Sequence, residues 1–208
     1  LNQLNSEIEP NAQRIGIVLA AGHGQRIRSE TSKMLHEIWG RPSVLRVADA
    51  VRKGLDSPHQ VVVVGIKGAD VARATGAQKG RLFAYQENPV LGFPAGTGDA
   101  VRVGLQAFPT VDDGRDVYIF LGDTGLLRDV AVDQFRRAFE SEACDMMMFT
   151  GVYSGSAESN YYGRILRVPK IDAEGHSSGG DYDKVIEIRE HKDILILDAL
   201  VPYEAMYK

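Results

Sequence analysis

The residues with the clearest chemical potential lie near the start of the chain, where an apolar run leads into small residues and then into two cations. Residues 15–19 are followed by Ala20-Ala21-Gly22, by Gly24, and then by Arg26 and Lys33. Small side chains leave backbone N–H groups open to an anion, and glycine permits the positive φ angles that an anion-binding turn needs. Arg26 can donate paired hydrogen bonds to phosphate oxygens, whereas Lys33 supplies a mobile point charge. This pattern favours a binding loop for a nucleoside triphosphate.

Two common phosphate-binding loops do not fit this segment. A Walker A loop needs Gly-Lys-Ser or Gly-Lys-Thr at the start of a helix, and the chain has Gly24-Gln25-Arg26 instead. The dinucleotide-binding fingerprint needs a further glycine where the chain has Ile27. An exposed strand-to-helix turn without a ligand is the alternative interpretation of the glycines, and the separated cations weigh against it.

Composition and charge restrict the class of protein. The 208 residues are 44% hydrophobic and 25% charged, which is ordinary for a globular domain with a substantial core. The net charge of −4 argues against general nucleic-acid binding. The single Cys144 excludes an internal disulfide framework and a cysteine metal cluster. No apolar run approaches the ~20 residues of a membrane span and no signal peptide is visible, so we expect a cytoplasmic protein without membrane or nucleic-acid partners.

The order of patterns along the chain predicts an α/β fold. Strand-forming runs alternate with amphipathic segments up to residue 142, which indicates a mostly parallel sheet with helices on both faces. Predicted strands lie at residues 15–19, 60–65, 81–86 and 116–121, with helices after 42, near 69–75, after 98 and at 129–142. Further strands are predicted at 145–152, 164–168 and 184–190, the last two joined as a hairpin. Residues 1–13 are expected to form a tail or a short leading helix.

Three further positions carry groups suited to a nucleotide, and each has an ordinary structural alternative. Asp123 follows a predicted strand at its carboxyl end, where a carboxylate can hold Mg²⁺ or simply shape a turn. Gly96-Thr97-Gly98 offers N–H groups and a hydroxyl before a helix, or only a capped helix start. Gln86 has an amide that can pair with a base or that only faces solvent. The spacing of the five histidines fits neither a zinc site nor a catalytic triad.

The motifs occur in an order that resembles a known family. Leu19-Ala20-Ala21-Gly22-x-Gly24-x-Arg26 and Lys33-x-Leu35-His36-x-Ile38-x-Gly40-x-Pro42 resemble segments of the sugar-phosphate nucleotidyltransferases. Within that family the similarity is greatest to the uridyltransferase (pyrophosphorylase) domain of the N-acetylglucosamine-1-phosphate uridyltransferases. Four later segments agree in the same order: Gly96-Thr97-Gly98-x-Ala100-Val101, Gly122-Asp123, Tyr162-Gly163-Arg164-Ile165 and Glu190-His191-Lys192-Asp193. The last segment favours the N-acetylglucosamine enzymes over thymidylyl- or cytidylyltransferases.

The resemblance implies a fold, a reaction and a set of site residues. It implies a Rossmann-like, mostly parallel mixed sheet with a C-terminal β-hairpin region for the sugar. The implied reaction joins UTP to N-acetylglucosamine 1-phosphate and releases pyrophosphate, with Mg²⁺ as cofactor. The implied catalytic residues are Arg26 and Lys33 on the triphosphate and Asp123 as metal ligand. Implied nucleotide-binding residues are Leu19, Ala20, Ala21, Gly22, Gly24, Gln86, Gly96 and Thr97, and implied sugar-binding residues are Gly163 and Glu190. Residues 14–208 are then expected to be a nucleotidyltransferase domain that lacks its C-terminal end.

The chain departs from the family at several positions. Gln25 and Ser32 stand where the family has threonine and proline, and an insertion occupies residues 87–95. The metal loop reads Asp123-Thr124-Gly125-Leu126 instead of Asp-x-Pro-Leu, and the chain ends soon after Glu190. Two alternative functions follow. One is a catalytically degenerate nucleotide-binding or regulatory homologue, and the other is a transferase for another sugar 1-phosphate or base.

Overall fold

The computed structural model of the chain describes residues 1–22, 32–87, 96–108, 114–156 and 159–189. It divides into two compact units, Leu1–Met147 and Met148–Lys208. Three of the predicted site residues, Gly24, Arg26 and Glu190, lie outside the described residues. No helix in the described ranges has the length and hydrophobicity that crossing a membrane requires.

The first unit alternates strands and helices, as the sequence predicts. In chain order its elements are β1 (Arg14–Ala20), β2 (Glu37–Ile38), β3 (Arg41–Pro42), α1 (Ser43–Gly54), β4 (Gln60–Val64), α2 (Gly68–Thr75), β5 (Arg81–Tyr85), α3 (Thr97–Gln106), β6 (Asp116–Leu121) and α4 (Asp129–Ser141). Four strands form one parallel sheet in the order β5-β4-β1-β6, and β2 pairs with β3 in a small antiparallel ribbon. The predicted α/β fold with a parallel central sheet is therefore confirmed.

Alternating residues of the central strand face two separate cores. In β1, Ile17 and Leu19 contribute to the core with α3, whereas Val18 and Ala20 contribute to the core with α1, α2 and α4. The neighbouring strand β4 alternates in the same way, and its residues 61–64 are all valines without exposed surface. A strand that is covered on both faces needs apolar side chains at consecutive positions. This requirement explains the uninterrupted β-branched runs from which the strands were predicted.

One face of α1 is buried in the core. Its fully buried residues are Val44, Val47, Ala48 and Val51. Leu55, directly after the helix, is only 1% exposed and joins the same core. At the end of α1 the helix packs closely against α4, because a Cβ at Gly54 would lie 2.5 Å from the backbone oxygen of Asp129.

Residues 2–6 lie along the edge strand β5. They contain a 3-10 helix at Asn2–Leu4 and then an extended segment. The side chain of Asn5 accepts a hydrogen bond from the backbone N–H of Phe83 at 2.7 Å, and Ile8 is 6% exposed in the core with α3. An open strand edge invites association with another chain, so this segment protects the edge.

The second unit confirms one predicted feature and contradicts another. Its strands β7 (Arg164–Arg167) and β8 (Val185–Arg189) pair as the predicted antiparallel hairpin. The strand predicted at residues 145–152 is wrong, since this segment has no strand conformation. A strand requires a neighbour for its backbone hydrogen bonds, and no described residue forms a ladder with this segment. Its exposed apolar side chains include Met146, Phe149 and Val152.

Replacement of Leu55 by alanine should lower the free energy of unfolding by about 2–5 kcal/mol, because it opens a cavity in a fully packed core. Urea denaturation followed by circular dichroism measures the loss. Leu105→Ala on α3 is the matched control, since Leu105 is 42% exposed. We expect a change of roughly 0.5 kcal/mol or less for this control. Equal losses in the two variants would contradict the placement of Leu55 in the core.

Candidate active site

The strand order creates a reversal point beside β1. From β1 the chain crosses to β4 and β5 on one side, and it later returns to β6 on the other side. Parallel α/β sheets bind ligands at the carboxyl ends of the strands that flank such a point. These ends lie level here, because Leu19 pairs with Leu121 and the backbone N–H of Gly122 donates to Leu19 O at 2.9 Å. The residues that follow β1 and β6 therefore meet at one edge of the sheet.

Two predicted catalytic residues, Lys33 and Asp123, form an ion pair at this edge. Lys33 Nζ lies 2.5 Å from Asp123 Oδ2, although the residues are 90 positions apart in the chain. Their side chains are 27% and 35% exposed, so solvent reaches both. Lys33 also passes close to Gly22, because a Cβ at position 22 would lie 3.2 Å from Lys33 Cε. The structure thus brings together Gly22, Lys33 and the carboxylate of Asp123.

A buried methionine anchors the short 3-10 helix that Lys33 begins. Ser32 caps this helix by accepting a hydrogen bond from Met34 N at 3.4 Å. Met34 is 2% exposed and lies beneath both turns of the site. Its side chain would lie 3.8 Å from a Cβ at Gly22 and 3.1 Å from one at Gly122. Sequence analysis missed this role, since one methionine beside a lysine carries no signal for it.

The loop that carries Asp123 is held against the start of α1. A Cβ at Gly125 would lie 2.5 Å from Ser43 Oγ, so only glycine fits this contact without movement. Arg46 Nε donates to Gly125 O at 2.7 Å, and the Arg46 guanidinium lies 4.9 Å from the centre of the Trp39 ring. The glycine that replaces the family's proline therefore forms a tightly packed turn.

Asp123 has the chemistry of a magnesium ligand. Mg²⁺ prefers oxygen ligands and commonly takes only one or two carboxylates from a protein, while water and substrate phosphates complete its shell. The Asp123 carboxylate is partly exposed at the end of β6, and its present partner is a monovalent cation. A divalent cation can replace that ammonium without leaving the carboxylate unpaired. Asp123 therefore fits the metal role that the resemblance implies.

A second polar cluster lies where β5 ends and α3 begins. Gln86 N donates to Val64 O at 2.8 Å, which places Gln86 at the same carboxyl edge of the sheet. Gln86 Nε2 donates to Gly96 O at 3.2 Å and to Asp99 Oδ2 at 2.9 Å. Arg102 Nη2 donates to Asp99 Oδ1 at 2.6 Å. The hydrogen bond from Gln86, followed by those from Arg102, holds the pKa of Asp99 below its ordinary value.

Gly96 and Thr97 adjoin this cluster, but the helix begins earlier than predicted. The sequence predicts Gly96-Thr97-Gly98 before the helix, whereas α3 starts at Thr97 and Gly96 is its extended N-cap residue. Gly96 O accepts a hydrogen bond from Ala100 N at 3.2 Å, and this bond closes the first turn. Both Gly96 and Thr97 are exposed. The N–H groups at the start of α3 are therefore accessible to a ligand.

The other predicted contacts differ in what they can offer a ligand. Leu19 and Ala20 are 6% and 2% exposed, with side chains in different cores. Only their backbone groups can therefore contact a nucleotide. Ala21 is half-buried and Gly22 is exposed, so the turn opens to solvent after Ala20. In the second unit, the half-buried Gly163 directly precedes β7.

A turn in the second unit gathers three exposed side chains that could ligate a metal. One ligand atom from each of Asp172, Glu174 and His176 lies within 4.8 Å of the others. Asp172 Oδ1 accepts hydrogen bonds from the backbone N–H groups of Glu174 and His176 at 2.9 and 2.8 Å. This is ordinary turn chemistry for aspartate, and we assign no metal to the cluster.

Gly22, Lys33 and Asp123 lie at the point where the strand order of the parallel sheet reverses. This arrangement is typical of a nucleotide-binding domain. Comparison with known families identifies the kind of domain, because residues 16–166 match the MobA-like NTP transferase domain. The chain belongs to this family. The family resemblance that the ordered motifs indicate is confirmed.

Curated relatives agree with this assignment. The chain is 30% identical over 175 residues to "Bifunctional protein GlmU" of Caldicellulosiruptor saccharolyticus, an alignment that covers 84% of the chain and 33% of that protein. It is 37% identical over 180 residues to "Bifunctional protein GlmU" of Streptomyces griseus, which covers 85% of the chain and 33% of that protein. The chain thus spans about a third of the length of these relatives. Among solved structures, Rv0371c from Mycobacterium tuberculosis H37Rv overlaps 62% of the chain and 60% of its own, with a TM-score of 0.47 and 24% identity.

Replacement of Gly125 by alanine should destabilise the protein by about 1–3 kcal/mol, because the added methyl group meets Ser43 and the side chain of Ile38. Chemical denaturation measures the change in the free energy of unfolding. Gly151→Ala is the matched control, since a Cβ there has no other atom within 4 Å. If Gly125→Ala unfolds at the same denaturant concentration as this control, the loop is not packed against α1 as described.

Proposed function

We propose that this chain transfers a uridylyl group from UTP to N-acetylglucosamine 1-phosphate, giving UDP-N-acetylglucosamine and pyrophosphate, with Mg²⁺ as cofactor. The observation that carries the proposal is the Lys33–Asp123 ion pair beside Gly22, at the carboxyl ends of β1 and β6. Membership of the nucleotidyltransferase family supports the class of reaction. The motif Glu190-His191-Lys192-Asp193 supports the choice of sugar.

The proposed reaction brings together two anions, the sugar 1-phosphate and the triphosphate of UTP. An ionised oxygen of the sugar phosphate attacks the α-phosphorus of UTP in line with the leaving group, and a new P–O bond forms. The bond from the α-phosphorus to the oxygen bridging it to the β-phosphate breaks, and pyrophosphate leaves with that oxygen and its electron pair. The attacking oxygen is already ionised, so the reaction needs no general base.

Lys33 and Asp123 have complementary roles in the proposed reaction. Lys33 exchanges its contact with Asp123 for the phosphates and offsets the negative charge that gathers on them. Asp123 holds Mg²⁺, which when bound neutralises phosphate charge and stabilises the leaving pyrophosphate. The resemblance assigns Arg26 to the same triphosphate. Lys33 and Asp123 already lie together at the carboxyl ends of β1 and β6.

The other proposed contacts bind and orient the two substrates. The exposed N–H groups at the start of α3 and the amide of Gln86 suit the edge of a base. The nucleotide-binding residues proposed are Leu19, Ala20, Ala21, Gly22, Gly24, Gln86, Gly96 and Thr97. The residues proposed to contact the amino sugar are Gly163 and Glu190.

Pyrophosphate release by the protein tests the proposed substrates directly. We expect release with Mg²⁺, UTP and N-acetylglucosamine 1-phosphate, and none after excess EDTA. Parallel reactions replace UTP with CTP or dTTP, and replace the sugar with glucose 1-phosphate. Release with another pair would favour a transferase for a different sugar or base. Nucleotide binding without release from any pair would favour a catalytically degenerate homologue.

Replacement of Lys33 by alanine should lower the rate of pyrophosphate release by about 100–1,000-fold, because a charge that stabilises the transferred phosphoryl group is lost. The thermal midpoint should stay close to that of the parent protein, since the ion pair is partly exposed and stabilises the fold little.

Lys53→Ala is the control for this experiment. It removes the same charge from an exposed position in the last turn of α1, away from the ion pair. We expect this variant to release pyrophosphate at the parent rate. Undiminished release by Lys33→Ala would remove Lys33 from the proposed catalytic residues.

A further inference from the structure

Two hydrogen-bond acceptors determine which way the amide of Gln86 points. The Gln86 side chain is 7% exposed, and its amide contacts Gly96 O at 3.2 Å and Asp99 Oδ2 at 2.9 Å. A backbone carbonyl and an ionised carboxylate can only accept hydrogen bonds, so the NH₂ group of Gln86 must face them. Both amide hydrogens are used in this way. The carbonyl oxygen Oε1 is then the amide group that Gln86 offers to a ligand.

Asp99 also forms an ion pair with Arg102 through its other carboxylate oxygen. Arg102 donates to Asp99 Oδ1 from Nη2 at 2.6 Å and from Nε at 3.1 Å, while Gln86 uses Oδ2. The two residues lie three positions apart on α3, where side chains share one face of the helix. The bond from Gln86 and those from Arg102 lower the pKa of Asp99. The carboxylate therefore stays ionised at neutral pH and remains an acceptor only.

We infer that Asp99 is a positioning residue for base specificity: it holds Gln86 with its carbonyl oxygen available, so that the site selects a base with a ring N–H donor. The inference rests on the proposed function, in which Gln86 contacts the base. Uracil has an N–H group at ring position N3, whereas the same position of neutral cytosine is an acceptor. An acceptor that faces an acceptor leaves both groups desolvated and unpaired. The arrangement therefore favours uridine over cytidine nucleotides.

Without Asp99, the amide could adapt to either base. A glutamine amide can rotate about its last torsion and offer NH₂ in place of the carbonyl oxygen. In this structure such a rotation would turn Oε1 of Gln86 toward Gly96 O and the carboxylate of Asp99. Three acceptors would then face one another without a hydrogen between them. Asp99 makes this orientation unfavourable, and the adjacent carbonyl of Gly96 adds to the effect.

Calorimetric titration of the protein with UTP and with CTP, both in the presence of Mg²⁺, measures the ratio of the two dissociation constants. We expect the parent protein to prefer UTP by roughly tenfold or more. Asp99→Asn keeps the size of the side chain but lets it present NH₂ to Gln86, because Arg102 retains the remaining oxygen. The preference for UTP should fall by about tenfold in this variant, mainly through better binding of CTP.

Arg102→Gln is the matched control. It removes the ion pair with Asp99 but leaves the carboxylate facing Gln86, so the preference should stay within about twofold of the parent. A structural defect at the start of α3 would weaken both nucleotides alike and leave their ratio unchanged. The ratio therefore separates positioning of the amide from damage to the fold.

The outcomes distinguish this inference from the proposed function. The inference is wrong if Asp99→Asn leaves the ratio of the UTP and CTP dissociation constants unchanged. It is also wrong if Arg102→Gln lowers the preference for UTP equally, or if the parent protein shows no preference for UTP. A folded parent protein that binds no nucleotide contradicts the proposed function, and the inference with it. If Asp99→Asn does not fold, Gln86→Ala provides the test. Loss of the amide should then weaken UTP binding more than CTP binding, and equal weakening overturns the inference.

Discussion

The parallel register between β1 and β6 is the constraint on which the site depends. Leu19 lies opposite Leu121, so both strands end at the same level and the loops after them meet. Lys33 and Asp123 thereby come within 2.5 Å across 90 positions of the chain. A shift of one residue would move every side chain of β1 to the wrong core, so burial of both faces of β1 maintains the register. The ion pair itself contributes only about 0–1 kcal/mol to the free energy of unfolding. The packing of the sheet therefore positions the two charges, and the two charges do not position the sheet.

Close packing beneath the site allows its ligand-facing surface to consist of backbone. Gly22 is exposed, so its main-chain groups can contact a ligand, whereas Gly122 is buried and donates its N–H to Leu19 O. A Cβ at Gly122 would lie 3.1 Å from Met34 Sδ, and one at Gly22 would lie 3.2 Å from Lys33 Cε. Glycine increases the conformational entropy that folding must overcome. The buried side chain of Met34 and the contact of Gly125 with Ser43 offset that cost by anchoring each turn. The site thus combines an open backbone with a rigid support.

The strands of the first unit could be predicted because buried β-branched runs carry their own signal. The strand predicted at residues 145–152 is wrong because short apolar runs do not show whether a partner strand exists. Lys33 and Asp123 could be selected from the order of motifs, but their contact follows from strand order, which no local pattern encodes. Asp99 could not be selected, because an acid with an arginine three residues later is an ordinary helix pair. Gln86 and Asp99 lie on opposite sides of the insertion in the sequence, so their contact exists only in the folded chain.

The Lys33–Asp123 ion pair is partly exposed, so it can both hold the proposed site together and separate when substrate binds. In the proposed reaction, Asp123 would hold Mg²⁺ in place of the Lys33 ammonium, and Lys33 would contact phosphate in place of the carboxylate. Each charge keeps an opposite partner, so no step leaves an isolated ion at the sheet edge. A fully buried pair would cost about 3–5 kcal/mol to separate and would hold the site closed. With side chains 27% and 35% exposed, the Lys33–Asp123 pair is held by the fold yet separates at little cost.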